Sequence, residues 1–572
     1  MSDDASKPGE LDRIGERYVR RWAELDPNAA VRMGVATAFG ALSGYGPNDF
    51  EARADLARET INAARAAPCP GERDRVARQA ILERCSSELA LFEVGEWLRE
   101  VRAIGSPLGE LREAFDLLPR DDDGDWRDLL ARLCRVPASL AGYEETLRLG
   151  MARRVVTSAR QAKVLARQAR AYSGGNDPGF FSRLAASCAS RDGRLREALV
   201  AAGAAADAAT ARLGELFESE YAAAASGVDG VGREHYELWS RHLNGIVLDL
   251  DETYAWGWSD LRSIREEMAA VAMQVVPGAS VPEAAAFLEA DETRTVHGTG
   301  NLCRFLQDTM DAAVESLAGH FDLAEPVRRV EACLAPPGGA AAMYYTPPSE
   351  DFRRPGRTWY PTLGRQRFPL WLEVTTAYHE GVPGHHLQLG QTCYLGARLN
   401  PFLRGAGRIS GHVEGWAVYA EKLMDELGLI EDPAYRLGML ACQAFRAARV
   451  VADIGLHLGL RIPGDWDELP GERWDAERAV TILHSAVYRP EDFLRSEVDR
   501  YLGWPSQAIG YKVGERIWLE TREAVRRREG DRFDLRAFHE RAFDLGLVGL
   551  GQLQSELAGE RRGAAPRCGQ GA

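Results

Sequence analysis

The stretch His379-Glu380-Gly381-Val382-Pro383-Gly384-His385-His386 sets three imidazoles and one carboxylate around a proline and two glycines. Imidazole nitrogens bind divalent metals, and a carboxylate beside them can move protons. In the His-Glu-x-x-His arrangement, two histidines four residues apart share one face of a helix and one zinc ion. Here the second histidine follows His379 by six or by seven residues. Whether the helix runs through this stretch or breaks within it therefore decides both the local fold and the site.

Helix arithmetic favours a break. At about 100° per residue, His385 on a straight helix would point roughly 120° away from His379. His386 would return to the same face but about 10 Å further along the axis. Neither could meet His379 at one ion, because Zn–N bonds are about 2.0–2.1 Å. Pro383 has no N–H to return to the carbonyl of His379, and its ring clashes there. Gly381 and Gly384 allow the backbone to detour. A two-residue bulge would make His385 the functional i+4 histidine. His386 would need three residues absorbed and ranks second.

A third ligand is expected from Gly411-His412-Val413-Glu414-Gly415-Trp416-Ala417-Val418-Tyr419-Ala420-Glu421. This segment reads as a helix with Glu414, Ala417, Val418 and Glu421 along one stripe. Glu414, with small Ala417 one turn later, is the first candidate ligand. Glu421, two turns further on, is a candidate to support the ligands from behind. His412 competes as a ligand or substrate contact.

Around these motifs the chain of 572 residues is 45% hydrophobic and 27% charged, the composition of a globular protein with room for more than one core. Its net charge of −15 disfavours non-specific binding to nucleic acid or to anionic membrane. The start, Met1-Ser2-Asp3-Asp4-Ala5, lacks the basic and apolar regions of a signal peptide, and no apolar run reaches 18 residues. The nine scattered cysteines form no Cys-x-x-Cys pair. Together these predict a cytoplasmic protein with reduced thiols.

Residues 10–333 read as successive amphipathic helices, for example around Ile81–Phe92, Val155–Tyr172 and Leu195–Leu216, with breaks at Pro68–Pro70, Asp121–Gly124 and Ser173–Pro178. They would form one side of a cleft. From about Leu334 to Gln366 the texture turns to Pro, Gly and aromatics, with short strands predicted at Ala341–Tyr345 and Thr358–Tyr360. Helical texture returns at Pro369, so 334–558 is expected to be the catalytic region. Residues 1–9 and 559–572 are expected to be flexible ends.

The motifs resemble the bacterial family known as domain of unknown function 885. Tyr345-Thr346-Pro347-Pro348 with Arg354-Pro355-Gly356, then HEGVPGHHLQ at 379–388, EGWAVYAE at 414–421, RVVADIGLH at 449–457, EVDRYLGWPSQAIGYKVG at 497–514 and FDLRAFHERAFDLG at 533–546 occur in the family's order. The resemblance covers about residues 10–557. It implies a mainly α, zincin-like (gluzincin) metallopeptidase fold with a small β element before the active-site helix, distantly like carboxypeptidase Taq and the thimet oligopeptidases. A Gly-His pair closes the zinc motif of those relatives, and Gly384-His385 matches it.

The expected function is a zinc-dependent hydrolase cleaving peptide or amide bonds of small peptides. One Zn²⁺ per chain would be held by His379, His385 and Glu414, with Glu380 as general base for a metal-activated water. Tyr511 is the first candidate oxyanion donor, with Tyr501, Tyr345 and His457 as alternatives. Arg449, Arg500 and Lys512 are candidate contacts for a substrate carboxylate, or else ion-pair partners of Glu497 and Asp499. Two other classes compete: a metal-dependent tailoring enzyme acting on a non-peptide amide or by a lyase-type step, and a non-catalytic helical binding protein. Substrate, endo- or exopeptidase action, the identity of the divalent metal and oligomeric state stay open.

Overall fold

The computed structural model describes residues 9–33, 35, 40–175, 177–335, 343–487 and 489–559. The expected flexible ends, 1–9 and 559–572, fall outside these residues except for Gly9 and Gly559. Ala341 and Ala342, the start of one predicted strand, also lie outside them.

The protein is mainly helical, with five short strands among the described residues. Several helices begin where a side chain takes up free backbone N–H groups. At the predicted break 121–124, the Asp122 carboxylate accepts from the Gly124 and Asp125 amides and starts the helix Asp123–Leu133. The 26-residue helix Pro433–Leu458 has Asp432 as N-cap, proline at its first position and Gly459 in the left-handed conformation at its end. That helix is apolar on nearly every face, from Leu437 and Leu440 through Ala444, Ala448 and Val451. It consequently lies at the centre of the molecule, packed along the helix Leu250–Val275.

Strand β1 (Thr295–His297) pairs antiparallel with β5 (Arg367–Pro369). Strands β2 (Val330–Leu334), β3 (Tyr344–Thr346) and β4 (Gly356–Tyr360) form a sheet ordered β2-β4-β3. β4 is parallel to β2 and antiparallel to β3, with Tyr345 opposite Thr358. The sheet covers the start of the helix His385–Leu395 and so presents Tyr345 to the histidine motif.

Apolar side chains collect in two main cores. The larger runs from Leu11 to Leu557 and includes the buried Trp371, Trp416 and Trp518. The second, built from residues between Tyr45 and Tyr221, is centred on Phe115, Tyr143 and Phe217.

Candidate metal centre

The helix that carries His379 and Glu380 spans Glu373–Glu380 and ends there; a second helix, His385–Leu395, starts at His385. The expected two-residue bulge inside one helix is thus replaced by a full break over Gly381–Gly384, with a cis Val382–Pro383 peptide. Missing helical bonds are made by wider turns: the Gly384 N–H reaches the Tyr378 carbonyl at 3.0 Å, and the His386 N–H reaches Gly381 at 3.1 Å. A Cβ at Gly384 would lie 2.0 Å from the His379 carbonyl oxygen, so only glycine permits this return. Trp416, on a later helix, donates its indole N–H to the carbonyls of Pro383 (2.9 Å) and Gly384 (3.0 Å).

This path brings His379 and His385 together, with ring centroids 4.8 Å apart. Glu414, on the helix Ser410–Glu426, faces both. Its Oε2 lies 3.6 Å from His379 Nε2 and 3.4 Å from His385 Nε2. Three ligand atoms, one per residue, fall within 4.8 Å of one another. Tetrahedral ligands at zinc distances are separated by about 3.3 Å, so the donor set fits a divalent ion. The electrostatics agree. Burial and Arg446 push the His379 imidazole down, but hydrogen bonds to Glu414 and Glu421 prevail and hold it up at about 9. Glu414, despite burial that pushes it up, is drawn well below the carboxylate range by His385 and His379. The pocket favours positive charge between its carboxylates.

Glu421 stands behind His379. It accepts from His379 Nδ1 at 2.6 Å and from the Thr375 hydroxyl at 2.6 Å, and pairs with Arg446 at 2.8 Å. These contacts fix the ring so that Nε2 faces Glu414. Glu380 is buried, its Oε2 has no hydrogen-bond partner among the described residues, and burial pushes its carboxyl up, offset in part by His385 and His379. His385 Nδ1 is likewise buried without a partner among them. The Tyr511 ring stacks beside His379, with centroids 6.4 Å apart, and the Arg449 guanidinium lies 4.9 Å from the Tyr511 ring centroid. The Tyr511 hydroxyl has no hydrogen-bond partner among the described residues.

Tyr511 reaches this position because two helices meet at backbone distance. Gly411 and Gly415 on Ser410–Glu426 face Gly510 and Gly514 on Gly510–Glu529. A Cβ on Gly415 would come within 2.3 Å of the Gly514 Cα.

Other candidates from the sequence are turned to structure. His386 has both nitrogens occupied: Nε2–H donates to the Val327 carbonyl at 2.7 Å, and Nδ1 accepts from the Tyr345 hydroxyl at 2.9 Å. Burial pushes it down to about 4. It lies outside the group of convergent ligand atoms. His412 donates Nδ1–H to the Val548 carbonyl at 2.5 Å, and His457 donates Nε2–H to the Tyr501 carbonyl at 3.0 Å. The three expected carboxylate contacts are already paired: Arg449 with Glu497 at 2.7 Å, Arg500 with Glu497 at 3.0 Å, and Lys512 with Glu515 and with Asp260 at 3.2 Å. Tyr501 is buried and donates to Glu497 at 2.9 Å. Sequence reasoning does not find Arg446 and Thr375. Thr375 lies four residues before His379 and Arg446 three before the RVVADIGLH motif, so only a tertiary contact distinguishes them from ordinary helix residues.

Two solved structures share this fold. One, described as a "putative lipoprotein" of Colwellia psychrerythraea, superposes with a TM-score of 0.82 at 21% identity, covering 96% of this chain and 98% of the other. A second, a "putative lipoprotein of unknown function" from Shewanella oneidensis, gives 0.71 at 15% identity, over 96% and 100%. At these identities the likeness establishes the fold. It also corrects the cytoplasmic expectation. Lipoproteins are held at a membrane surface by their lipid, so scattered cysteines on this fold do not mark a cytoplasmic protein. No described helix is long and apolar enough to cross a membrane. Among curated proteins, none matches at a significant level. Residues 27–557 match the bacterial proteins of unknown function designated DUF885, and the chain belongs to that family.

Proposed function

We propose that the protein is a metal-dependent amide hydrolase, most simply a zinc metallopeptidase of gluzincin type acting on small peptides. The observation that carries this reading is the convergence of His379 Nε2, His385 Nε2 and a Glu414 oxygen beside the partnerless carboxylate of Glu380. Structural zinc sites are closed by four protein ligands, whereas three leave a position open.

When bound there, a divalent ion supplies Lewis-acid polarisation of a carbonyl and lowers the pKa of water. The remaining work falls to the chain. Glu380 takes the proton of the attacking water and returns it to the leaving amine, and burial raises its carboxyl toward that task. Glu421, braced by Thr375 and Arg446, holds His379 in one tautomer. The Tyr511 hydroxyl donates to the oxygen on which charge develops.

A screen of short peptides against the zinc-loaded chain, followed by Glu380→Gln on the best substrate, tests this. The variant should keep its metal and lose turnover on the order of 10²–10⁴-fold. Full activity in Glu380→Gln would remove Glu380 from the chemistry.

A further inference from the structure

Arginines crowd the surroundings of the three ligands, and most are spoken for. Arg446 is paired with Glu421, and Arg449 and Arg500 with Glu497. Arg408 and Arg354 differ. Neither guanidinium makes an ion pair or hydrogen bond among the described residues. Their backbones are nevertheless anchored. The Arg408 N–H donates to Gly405 at 2.9 Å in the turn just before the helix that carries Glu414. Arg354 closes a turn with Ser349, each backbone N–H serving the other residue at 3.0 Å.

Arg408 is exposed by its accessible surface, yet surrounding protein withholds enough water to hold its guanidinium below the ordinary range, against the pull of Glu414 and Tyr345. The guanidinium is thus open to a ligand and close enough to Glu414 and Tyr345 to feel their charge. Glu414 faces solvent too, with 18% of its side chain accessible. Arg354 and Arg408 are both charge neighbours of Tyr345, whose hydroxyl meets His386, the residue after His385. Tyr345 itself is fixed against Val413 and Leu389. A cation left without an anion at such a place costs free energy that a bound anion returns. Planar guanidinium groups match carboxylates with two parallel hydrogen bonds.

We propose that Arg408, with Arg354 as a second cation near Tyr345, binds the C-terminal carboxylate of the substrate, so that the site takes short peptides ending in a free acid. The assignment rests on the hydrolase reading for its orientation only. Carboxylate binding can be measured without turnover.

The experiment is calorimetric titration of the full chain, chelator-stripped and again zinc-reloaded, with three probes: N-acetyl-trialanine, its C-terminal amide, and N-acetyl-Ala-Asp-Ala-amide. The free acid should bind at least about tenfold more tightly than the amide, the loss expected for a charge-assisted pair. Arg408→Met should abolish that preference with metal content unchanged, and Arg408→Lys, which keeps the charge, should retain part of it. Equal binding of acid and amide, no measurable binding of the acid, or an undiminished preference in Arg408→Met would overturn the proposal. Tighter binding of the Asp-containing amide than of the free acid would also overturn it, by assigning the cations to an internal acidic side chain. Failure of the hydrolase reading would look different: no zinc retained and no Glu380-dependent cleavage, with the carboxylate preference intact.

Discussion

At the scale of single residues, the candidate site depends on one backbone position as much as on the three side chains that could hold a metal. Gly384 lies where a Cβ would meet the carbonyls of His379 at 2.0 Å and Tyr378 at 2.4 Å. Those are backbone atoms at the end of the helix Glu373–Glu380, and they cannot move aside without moving His379. Gly384→Ala is therefore expected to destabilise the fold by about 2 kcal/mol or more and to weaken metal binding together with it. A denaturation curve and a metal titration on the same variant check this; an unchanged midpoint would mean that the break tolerates a side chain. The identity of the interacting residues is legible in the sequence, because His379, Glu380, His385, Glu414 and Glu421 are chemically distinctive and stand at informative spacings. Their helpers are not. Thr375 and Arg446 meet at Glu421 from two helices, and nothing in either local pattern announces it. Arg449, Arg500 and Lys512 look like free cations in the sequence, but Glu497, Glu515 and Asp260 neutralise them in the fold.

At the scale of elements, two features set the geometry. Pro383 and its flanking glycines announce that the helix must be interrupted, yet they do not say how. A bulge and a full break use the same residues, and the choice depends on Trp416 holding the Pro383 and Gly384 carbonyls from a distant helix. The second feature is the glycine seam between Ser410–Glu426 and Gly510–Glu529. Gly411 and Gly415, four apart, face Gly510 and Gly514, also four apart, and this spacing is visible in the sequence without a partner to give it meaning. Gly514→Ala should force the helices apart, cost about 1–3 kcal/mol and shift Tyr511 away from His379. Gly300, in the first turn of the helix Thr299–Ser316, has no left-handed backbone, and a Cβ added there would meet no atom within 4 Å. Gly300→Ala should therefore be neutral or stabilising by up to about 1 kcal/mol. Equal denaturation midpoints for the two variants would show that the seam is not tightly packed.

At the scale of the whole molecule, the mainly helical architecture follows from long amphipathic runs, and the β element falls where the Pro, Gly and aromatic texture places it, between the N-terminal helices and the histidine motif. Strands β1, β2 and β5 escape a sequence reading because three to five residues carry too little periodicity, and their partners lie 26 to 74 residues away. His379 and Glu414 stand on separate helices, 35 residues apart in the chain, and folding brings their ligand atoms to 3.6 Å. The central claim is that this convergence holds one divalent ion. Metal content of the purified chain, measured by inductively coupled plasma mass spectrometry after zinc loading and gel filtration, tests it most directly. About one equivalent is expected in the wild type and in His386→Ala, with loss in His379→Ala, His385→Ala and Glu414→Ala. A wild type that retains no metal, or loss confined to His386→Ala, would contradict the account.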